Sequence, residues 1–371
     1  MDIDFTTEQK VLSETITRLL RNDYAFPARQ KSSLSRDGWN REFWSSLANE
    51  GFLNLLIPAE LDGYGGSAVD AMIVMQAMGE ALVLEPYLGT AIVAAPAIAE
   101  WGNAAQRNQL LPEMLEGRLT AAFAYAEGDG RESGRHLSTK AVPAGTAWRI
   151  TGQKALVLGG STADLLLIAA VAERGLGLFV VTADSPNVER TQRRLRDGSL
   201  VADVTLREAQ AQSLRAPGSG VVEICVARAL AGLVAEAVGT MTAAYQLTLE
   251  HLRTRQQFGR PLGALQALQH RVAEMLVSLE LSRSMAMFAA SAVSLKDQEL
   301  RAVRLAQAKA VVGRHGKLIA EAAVQLHGGM GMVEEYPVGV CLKHLIAIEH
   351  RFGTTDDHLA LLADKYEFSS L

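Results

Sequence analysis

The sequence predicts a mainly α-helical protein with a β domain inserted between two helical regions. Apolar residues recur at helical spacing from the N-terminus to about residue 117. Short strand-like runs separated by Gly, Pro and Asp follow, and long helical segments then return. We therefore expect an N-terminal helical domain over 1–117, a middle β domain over 118–213 and a C-terminal helical bundle over 214–371.

The N-terminal region begins with a helix-start signal. In the run Thr6-Thr7-Glu8-Gln9, the Thr6 side chain can accept a hydrogen bond from the amide of Gln9, as in a capping box. Further helical patterns cover residues 41–55, 69–84 and 91–116. A Gly- and Pro-rich stretch over 58–66 separates the first two of these and predicts a loop.

The middle and C-terminal regions differ in period. Strand-like runs occupy 148–151, 165–168, 178–181 and 200–206. Beyond them, the segment from Glu223 to Gln257 contains no proline, and helical patterns over 267–295 and 300–325 carry stripes of Ala, Leu and Val. Long helices with a small-residue face predict a bundle, and leftover apolar face predicts oligomerisation.

Composition limits the function classes. The chain has 371 residues, 49% of them hydrophobic, and a formal net charge of −5, which argues against nucleic acid as a partner. We expect no membrane span and a cytoplasmic protein, because no long uninterrupted apolar run and no signal-peptide pattern is evident. Cys225 and Cys341 lie in apolar surroundings without metal-ligand spacing and are expected to be buried thiols.

Two polar blocks stand out at the ends of long helical segments. One runs from Arg255 to Leu262, and the other from Gln325 to Gly331. A guanidinium can hold a diphosphate through paired hydrogen bonds, and glycines let backbone amides approach an anion. Together the blocks predict a site for a large, doubly anionic cofactor.

The order of elements and five local blocks resemble the acyl-CoA dehydrogenase family. The blocks span nearly the whole chain, and the Arg-x-Gln-Phe-Gly-x-Pro-Leu block is the most specific; they cover residues 51–60, 123–127, 150–154, 255–262 and 325–331. The resemblance implies a middle β-barrel, a C-terminal four-helix bundle, FAD, an acyl-CoA substrate and an oligomer. In that family a carboxylate removes the α-proton while hydride leaves the β-carbon for the flavin.

The resemblance also implies roles for particular residues. In the family, the Arg-x-Gln-Phe and Gln-x-x-Gly-Gly motifs of one subunit reach the ADP half of an FAD held mainly by the neighbouring subunit. The matching cofactor-binding candidates here are Arg255, Gln257, Phe258, Gln266, Gln325, Gly328, Gly329 and Thr354. The run from Thr354 to His358 is interpreted as a helix N-cap followed by acidic residues rather than as a metal site, and no metal is expected.

Other family positions have changed in this chain. Ala126 stands where the family commonly has a flavin-facing Thr, Glu132 where it has Ser, and the run 156–158 is Leu-Val-Leu where it has an aromatic and a Thr or Ser. The two positions that carry the catalytic base in known members are Phe352 and Ala229 here, so the catalytic residue is not identified. Glu223, Glu236 and Glu349 lie nearby in the sequence, but nothing in their spacing places one of them as the catalytic base. We expect Glu236 to be a helix surface charge.

These losses and retentions suggest a base-lacking subunit of a heteromeric acyl-CoA dehydrogenase. The stretches Glu85 to Thr90 and Gly353 to Leu359 look most like small subunits of pimeloyl-CoA dehydrogenase-type enzymes. We expect a heterotetramer with a second dehydrogenase subunit, acting in lipid or steroid catabolism. Two alternatives remain open at this point: a homomeric enzyme with an unusual base, and a non-catalytic member that binds acyl-CoA or only scaffolds.

Overall fold

A computed structural model describes residues 5–128, 137–257 and 259–365. Within these ranges six helices precede the strands of a sheet, and five further helices follow them. The first helices are α1 Thr7–Asp23, α2 Phe26–Leu34, α3 Arg41–Asn49, α4 Ala68–Glu80, α5 Ala95–Trp101 and α6 Ala104–Leu115. The later helices are α7 Val221–Thr254, α8 Gln266–Val293, α9 Gln298–His327, α10 Pro337–Glu349 and α11 Thr355–Lys365.

The first helix begins as the sequence predicts. The amide of Gln9 donates to Thr6 Oγ1 at 3.3 Å, and the amide of Thr6 donates to Gln9 Oε1 at 3.1 Å. The helical pattern predicted over 91–116 is helical in the structure but divided, because a π-helical stretch over Leu88–Ala94 leads into α5, and Gly102 then leaves helical geometry with ψ 147°. Asn103 starts α6 by accepting a hydrogen bond from the amide of Gln106.

The middle of the chain forms a closed sheet. Its strands are β1 Ala121–Ala124, β2 Lys140–Ala144, β3 Ala147–Leu158, β4 Leu165–Ala172, β5 Gly175–Thr182, β6 Val188–Arg194 and β7 Leu200–Ser213. The path runs β1-β4-β2-β3-β7-β5, β6 pairs with β7, and β5 returns to β4. A register shift in β3 between Lys154 and Val157 marks a bulge, which turns a side chain away from the regular alternation.

The long helix α7 is the centre of the C-terminal helices. It packs against α8, α9 and α10, and also against α4 from the N-terminal helices. The crossing with α4 is close because both helices carry glycine there: a Cβ on Gly79 would lie 1.9 Å from Glu236 O, and one on Gly239 would lie 1.9 Å from Gln76 O. The hydroxyl of Thr240 donates to Gly79 O across the same crossing at 3.0 Å.

The two cysteines are buried and free, as expected. Burial raises the pKa of both Cys225 and Cys341 to about 12, so both remain neutral thiols at ordinary pH. In the described ranges one helix, α8, is long and apolar enough to cross a bilayer by length and composition alone. That is weak evidence for a span, since core helices of soluble proteins pass the same test.

Candidate active-site cavity and cofactor-end site

A cavity of about 340 Å³ lies where β1, β3, α7 and the segment after α10 meet. We call it the central cavity. Its wall is mostly aliphatic or aromatic, with a cationic rim on one side. The lining residues are Leu88, Gly89, Val93, Phe123, Tyr125, Ala126, Ala155, Leu156, Val157, Leu158, Leu195, Arg196, Val201, Ala229, Lys343, Ile346, Ala347, His350, Arg351 and Phe352.

Both base positions of the resemblance open onto this one cavity. Ala229 reaches it from α7, and Phe352 reaches it from the turn between α10 and α11. Among the lining residues that the structure describes there is no Asp or Glu. The folding of the chain therefore joins two distant sequence positions at one place, and neither of them can accept a proton.

Phe352 belongs to a cluster of three aromatic rings. Its centroid lies 5.9 Å from that of Phe123 and 5.8 Å from that of Tyr125, with interplanar angles of 19° and 18°. Burial, with a smaller contribution from the charge of Glu223, raises the pKa of Tyr125 to about 12. The phenol is therefore protonated at neutral pH and cannot substitute for a carboxylate base.

The β3 bulge presents the replaced flavin-side positions to the same cavity. Leu156 has φ +50°, and its amide donates to Asp203 Oδ1 at 3.1 Å, which holds the bulge open. Leu158 and Ala126 also line the cavity. Side chains without hydroxyls thus stand at the positions where the family uses Thr or Ser. Glu132 and Phe258 lie outside the described residues.

One side of the cavity is cationic. Arg196, Lys343 and Arg351 all contribute to the lining. The Arg351 guanidinium is held by Ser199 Oγ at 3.1 Å and lies 3.7 Å from Asp197 Oδ2. An apolar cavity with a cationic rim suits a flat or extended apolar ligand that carries anionic groups.

The retained motif residues lie elsewhere, at the C-terminal ends of α7 and α9. These ends are adjacent, because the ring of His251 stacks on that of His327 with centroids 4.4 Å apart. The segment after α7 forms a two-stranded hairpin, β8 Gln256–Gln257 with β9 Arg260–Pro261, which the amide of Leu262 closes by donating to Arg255 O at 2.9 Å. The structure thus brings together the two blocks that the sequence singled out.

The side chains of this cofactor-end site face solvent in the isolated chain. The exposed candidates are Arg255, Gln257, Gln266, Gln325, Gly328 and Gly329. None of them lines the central cavity. Gly328 ends α9 with φ 59° and ψ −135°, a conformation that essentially only glycine adopts. It turns the chain so that its own amide donates to Gln325 O and the following short 3₁₀ segment leaves the helix.

Two family models match the helical regions on either side of the sheet. The acyl-CoA dehydrogenase N-terminal domain matches residues 6–118, and the acyl-CoA dehydrogenase C-terminal domain matches residues 218–366. The chain belongs to the acyl-CoA dehydrogenase family. A relative, the acyl-CoA dehydrogenase FadE27 of Mycobacterium tuberculosis, is 28% identical over 317 residues, 81% of each chain.

Solved structures of this family have the same fold. A variant of the Tcur3481-Tcur3483 steroid ACAD is 27% identical with a TM-score of 0.89, covering 96% of this chain and 97% of that one. A chain of the ChsE4-ChsE5 complex from Mycobacterium tuberculosis aligns with a TM-score of 0.91 at 23% identity, covering 100% of both chains. In this family a carboxylate acts as the catalytic base, but no described residue of the central cavity supplies one.

The three acids near the base positions in sequence do not supply it. Glu236 is buried rather than a helix surface charge, so that prediction is wrong: its carboxylate accepts from His344 Nε2 at 2.8 Å. Glu349 accepts from the amide of Thr355 at 2.6 Å and lies 3.7 Å from Lys309 Nζ. Neither these two nor Glu223 lines the central cavity.

The sequence does not predict the buried network around His344. The imidazole of His344 bridges Asp197 Oδ2 at 2.9 Å and Glu236 Oε1 at 2.8 Å, and so ties the β6–β7 turn to α10 and α7. Burial alone would lower the pKa of His344, but the two carboxylates outweigh burial and raise it. The signal was available: Glu236 is a lone charge within the apolar run 229–239.

A second buried ion pair joins two of the family blocks. Lys154 Nζ lies 2.7 Å from Glu127 Oε1, and both side chains are almost fully buried. Burial raises the pKa of Glu127, but hydrogen bonds from Lys154, Ser138 and Thr139 prevail and bring it to about 2. Glu127 is therefore a structural carboxylate rather than a free proton acceptor.

Thr354 has a local partner of its own. Its hydroxyl donates to Asp357 Oδ2 at 2.7 Å, and the amide of Asp357 donates back to Thr354 Oγ1 at 3.2 Å. This geometry is the N-cap expected for α11. Within the described ranges no group of three or more His, Cys, Asp or Glu side chains could hold a metal ion.

Proposed function

We propose that this chain is the base-lacking subunit of a heteromeric, FAD-dependent acyl-CoA dehydrogenase. The assembled enzyme would carry out α,β-dehydrogenation of an acyl-CoA thioester. One observation carries the proposal: both family base positions, Ala229 and Phe352, line one cavity in which no described residue is an acid. Removal of an α-proton needs a positioned acceptor, so we infer that a second subunit provides it.

The cofactor-end site supports a complementary role for this chain. FAD, when bound, would accept the hydride from the β-carbon. Arg255 can pair with the diphosphate of such a cofactor, while Gln257 and Gln325 can reach sugar or base edges. All three are exposed and lie outside the central cavity, as expected of groups that serve a cofactor held chiefly by a neighbouring subunit.

The surface of the C-terminal helices supports assembly. Leu276, Val277 and Leu281 on α8 are 40%, 61% and 49% exposed, so that one helix presents three large apolar side chains to solvent. Such a patch favours burial against another protein surface. We propose that α7 to α10 form the four-helix bundle of the family and that this face joins subunits in a heterotetramer.

The relatives support a substrate class and a setting for this proposal. ChsE4-ChsE5 and Tcur3481-Tcur3483 are each named as a pair of chains, and the latter is named a steroid ACAD. We propose that this chain likewise acts with a second dehydrogenase subunit, in cytoplasmic lipid or steroid catabolism. The pimeloyl-CoA-type small subunit is retained as the most specific form of this proposal.

The test is to purify the chain alone and together with a co-expressed acyl-CoA dehydrogenase subunit from a neighbouring gene. Flavin absorbance against protein concentration gives the FAD stoichiometry, and dye reduction with steroid-side-chain CoA and pimeloyl-CoA gives turnover. We expect no turnover by the chain alone and one FAD per heterodimer in an active complex. Turnover by the chain alone with one FAD per subunit would establish the homomeric alternative, and a colourless, inactive complex the non-catalytic one.

The role of Arg255 can be tested separately. In the complex, Arg255→Gln removes a charge-assisted pair worth about 1.5–3 kcal/mol, so FAD should bind roughly 10- to 100-fold more weakly. Arg253→Gln is the matched control, because Arg253 is exposed on the last turn of α7 and outside the motif. Equal FAD dissociation constants for both variants, measured by fluorescence titration, would remove Arg255 from the site.

A further inference from the structure

A second cavity, of about 580 Å³, is walled, like the central cavity, in part by α7 and the π-helical stretch over Leu88–Ala94. It is bounded by α4, α5, the first turns of α7 and the turn between α8 and α9, and we call it the lateral cavity. The two cavities share no lining residue. Leu88 of the central cavity packs onto Gly232 of the lateral one, where an added Cβ would lie 2.8 Å from Leu88 Cδ1, and this contact separates them.

The lateral cavity combines an apolar body with a cationic end. Met72, Ile92, Ile224, Val293 and Leu295 supply large apolar side chains. The charged lining residues are Arg228, Lys296 and Arg301 against the single acid Glu100. A cavity in this size range buries most of a small ligand, and the few charged groups set the ligand's orientation. The excess of cations selects an anionic head group.

Arg228 has unused hydrogen-bonding capacity at this end. Its Nη2 donates to Glu100 Oε2 at 2.7 Å, and its guanidinium lies 5.3 Å from the ring centroid of Trp101. Its Nη1 is buried and has no hydrogen-bond partner among the described residues. A buried guanidinium N–H without an acceptor is unfavourable, and a ligand oxygen would satisfy it.

Two further features add positive charge to the lining of the same cavity. Arg301 is only 7% exposed and is anchored by donation from its Nη1 to Leu295 O at 2.6 Å. The 34-residue helix α7 begins at the cavity wall, and its N-cap Gly220 provides no side-chain acceptor for the first-turn amides. A helix N-terminus without a side-chain cap favours a carboxylate or phosphate, although α7 already carries Glu223 in its first turn; here the N-terminus lies in the same cavity lining as the buried Arg301 and the partly buried Arg228.

We propose that the lateral cavity binds an amphipathic carboxylate, with the hydrocarbon body on the apolar wall and the carboxylate between Arg228 and Arg301. The proposal is independent of the function proposed for the central cavity, because the two cavities have no residue in common. A neutral analogue of the same chain length would gain the apolar contacts only. Binding should therefore depend on the charge of the head group as well as on the space in the cavity.

Decanoate and 1-decanol are suitable probes, measured by isothermal titration calorimetry on the purified full-length chain. We expect one decanoate in the lateral cavity, with 1-decanol binding there at least about tenfold more weakly. Arg228→Gln should weaken decanoate binding by about tenfold or more, because it removes a charge-assisted hydrogen bond. Ala68→Phe should abolish decanoate binding, because Ala68 lines the cavity from a half-buried position on the first turn of α4 and the larger ring would fill the space.

Two control variants locate the site. Arg304 lies on α9, outside the lateral cavity, with its guanidinium over the ring of Phe288 on α8. Arg304→Gln should therefore leave decanoate binding unchanged. Lys343→Met removes a cation from the central cavity and should also leave it unchanged. The proposal is overturned by absence of decanoate binding, by equal affinity for 1-decanol, or by binding that responds to Lys343→Met but not to Ala68→Phe. Thermal unfolding of Ala68→Phe confirms that the variant is folded.

Discussion

Replacing His344 by Gln should destabilise the chain and change how its stability depends on pH. The His344 side chain is 2% exposed and bridges Asp197, which is fully buried, and Glu236, which is 10% exposed. The glutamine amide carries no charge and has its donors on a single nitrogen, so it cannot replace the two ring nitrogens that face Asp197 and Glu236, and a buried carboxylate loses its partner. Breaking a buried pair in this way costs about 3–5 kcal/mol in the free energy of unfolding at pH 6.

The pH dependence follows from the direction of the His344 pKa shift. The pKa of His344 in the folded chain is raised above the unfolded value of about 6.5, so the stability that the protonated imidazole contributes is fully present below that value. It is lost as pH rises toward the folded pKa, because the native state then holds a proton that the unfolded chain has released. Within this window the free energy of unfolding of the native sequence should fall by about 1.4 kcal/mol per pH unit relative to the variant.

Urea unfolding followed by circular dichroism at intervals from pH 6 to 9 measures both quantities. The control is His270→Gln, since His270 is exposed on α8 and its replacement should shift stability by no more than about 0.5 kcal/mol. A difference between the native sequence and His344→Gln that stays constant across this range would refute the idea that His344 binds its proton on folding. Asp197 retains Arg351 at 3.7 Å, so the network does not lose all positive charge above that window.

Two further substitution pairs test the buried ion pair and the end of α9. Lys154→Met should lower the free energy of unfolding by about 3–5 kcal/mol, whereas Lys140→Met on the exposed β2 position should be nearly neutral. The pKa of Glu127 is lowered, so the stability that its carboxylate contributes to the folded state is present above about pH 4.3 and is lost as pH falls toward 2. Acid unfolding of Lys154→Met should therefore start at higher pH than that of the native sequence. An unchanged midpoint of acid unfolding would contradict this. Gly328→Ala should cost about 1–3 kcal/mol because of its backbone angles, while Gly329→Ala, whose Cβ would meet nothing within 4 Å, should be tolerated; equal denaturation midpoints would show that the turn adapts.

Local signals in the sequence predicted local structure well. The Thr6 capping box and the long helix α7 follow directly from side-chain type and period. The helical pattern over 91–116 does not reveal the break at Gly102 and Asn103, because apolar periodicity continues through these residues although the helical backbone ends there. Periodicity reports which face is buried and does not report whether one helix or two provide that face.

The site was predicted only in part, for a related reason. The resemblance identified Ala229 and Phe352 as base positions, but the shared cavity depends on the packing of α7 against the turn after α10. The lateral cavity has no motif at all, because Arg228 and Arg301 lie on different helices and act together only through tertiary packing. The sequence does not reveal that Glu236 is buried, since helical spacing alone does not distinguish a solvated charge from one paired across an interface.

The turn that would carry a base is still built although the acid is absent. Phe352 has φ +57°, an unfavourable backbone conformation for a bulky residue. His358 Nε2 lies 3.1 Å from Phe352 O, and buried Lys309 donates to Gly353 O at 3.0 Å, so two side chains hold the turn in place. A carboxylate between Phe123 and Tyr125 would have to be desolvated among aromatic rings, whereas Phe352 packs there without that penalty. The scaffold therefore holds this position in place while its occupant, Phe352, provides no proton acceptor.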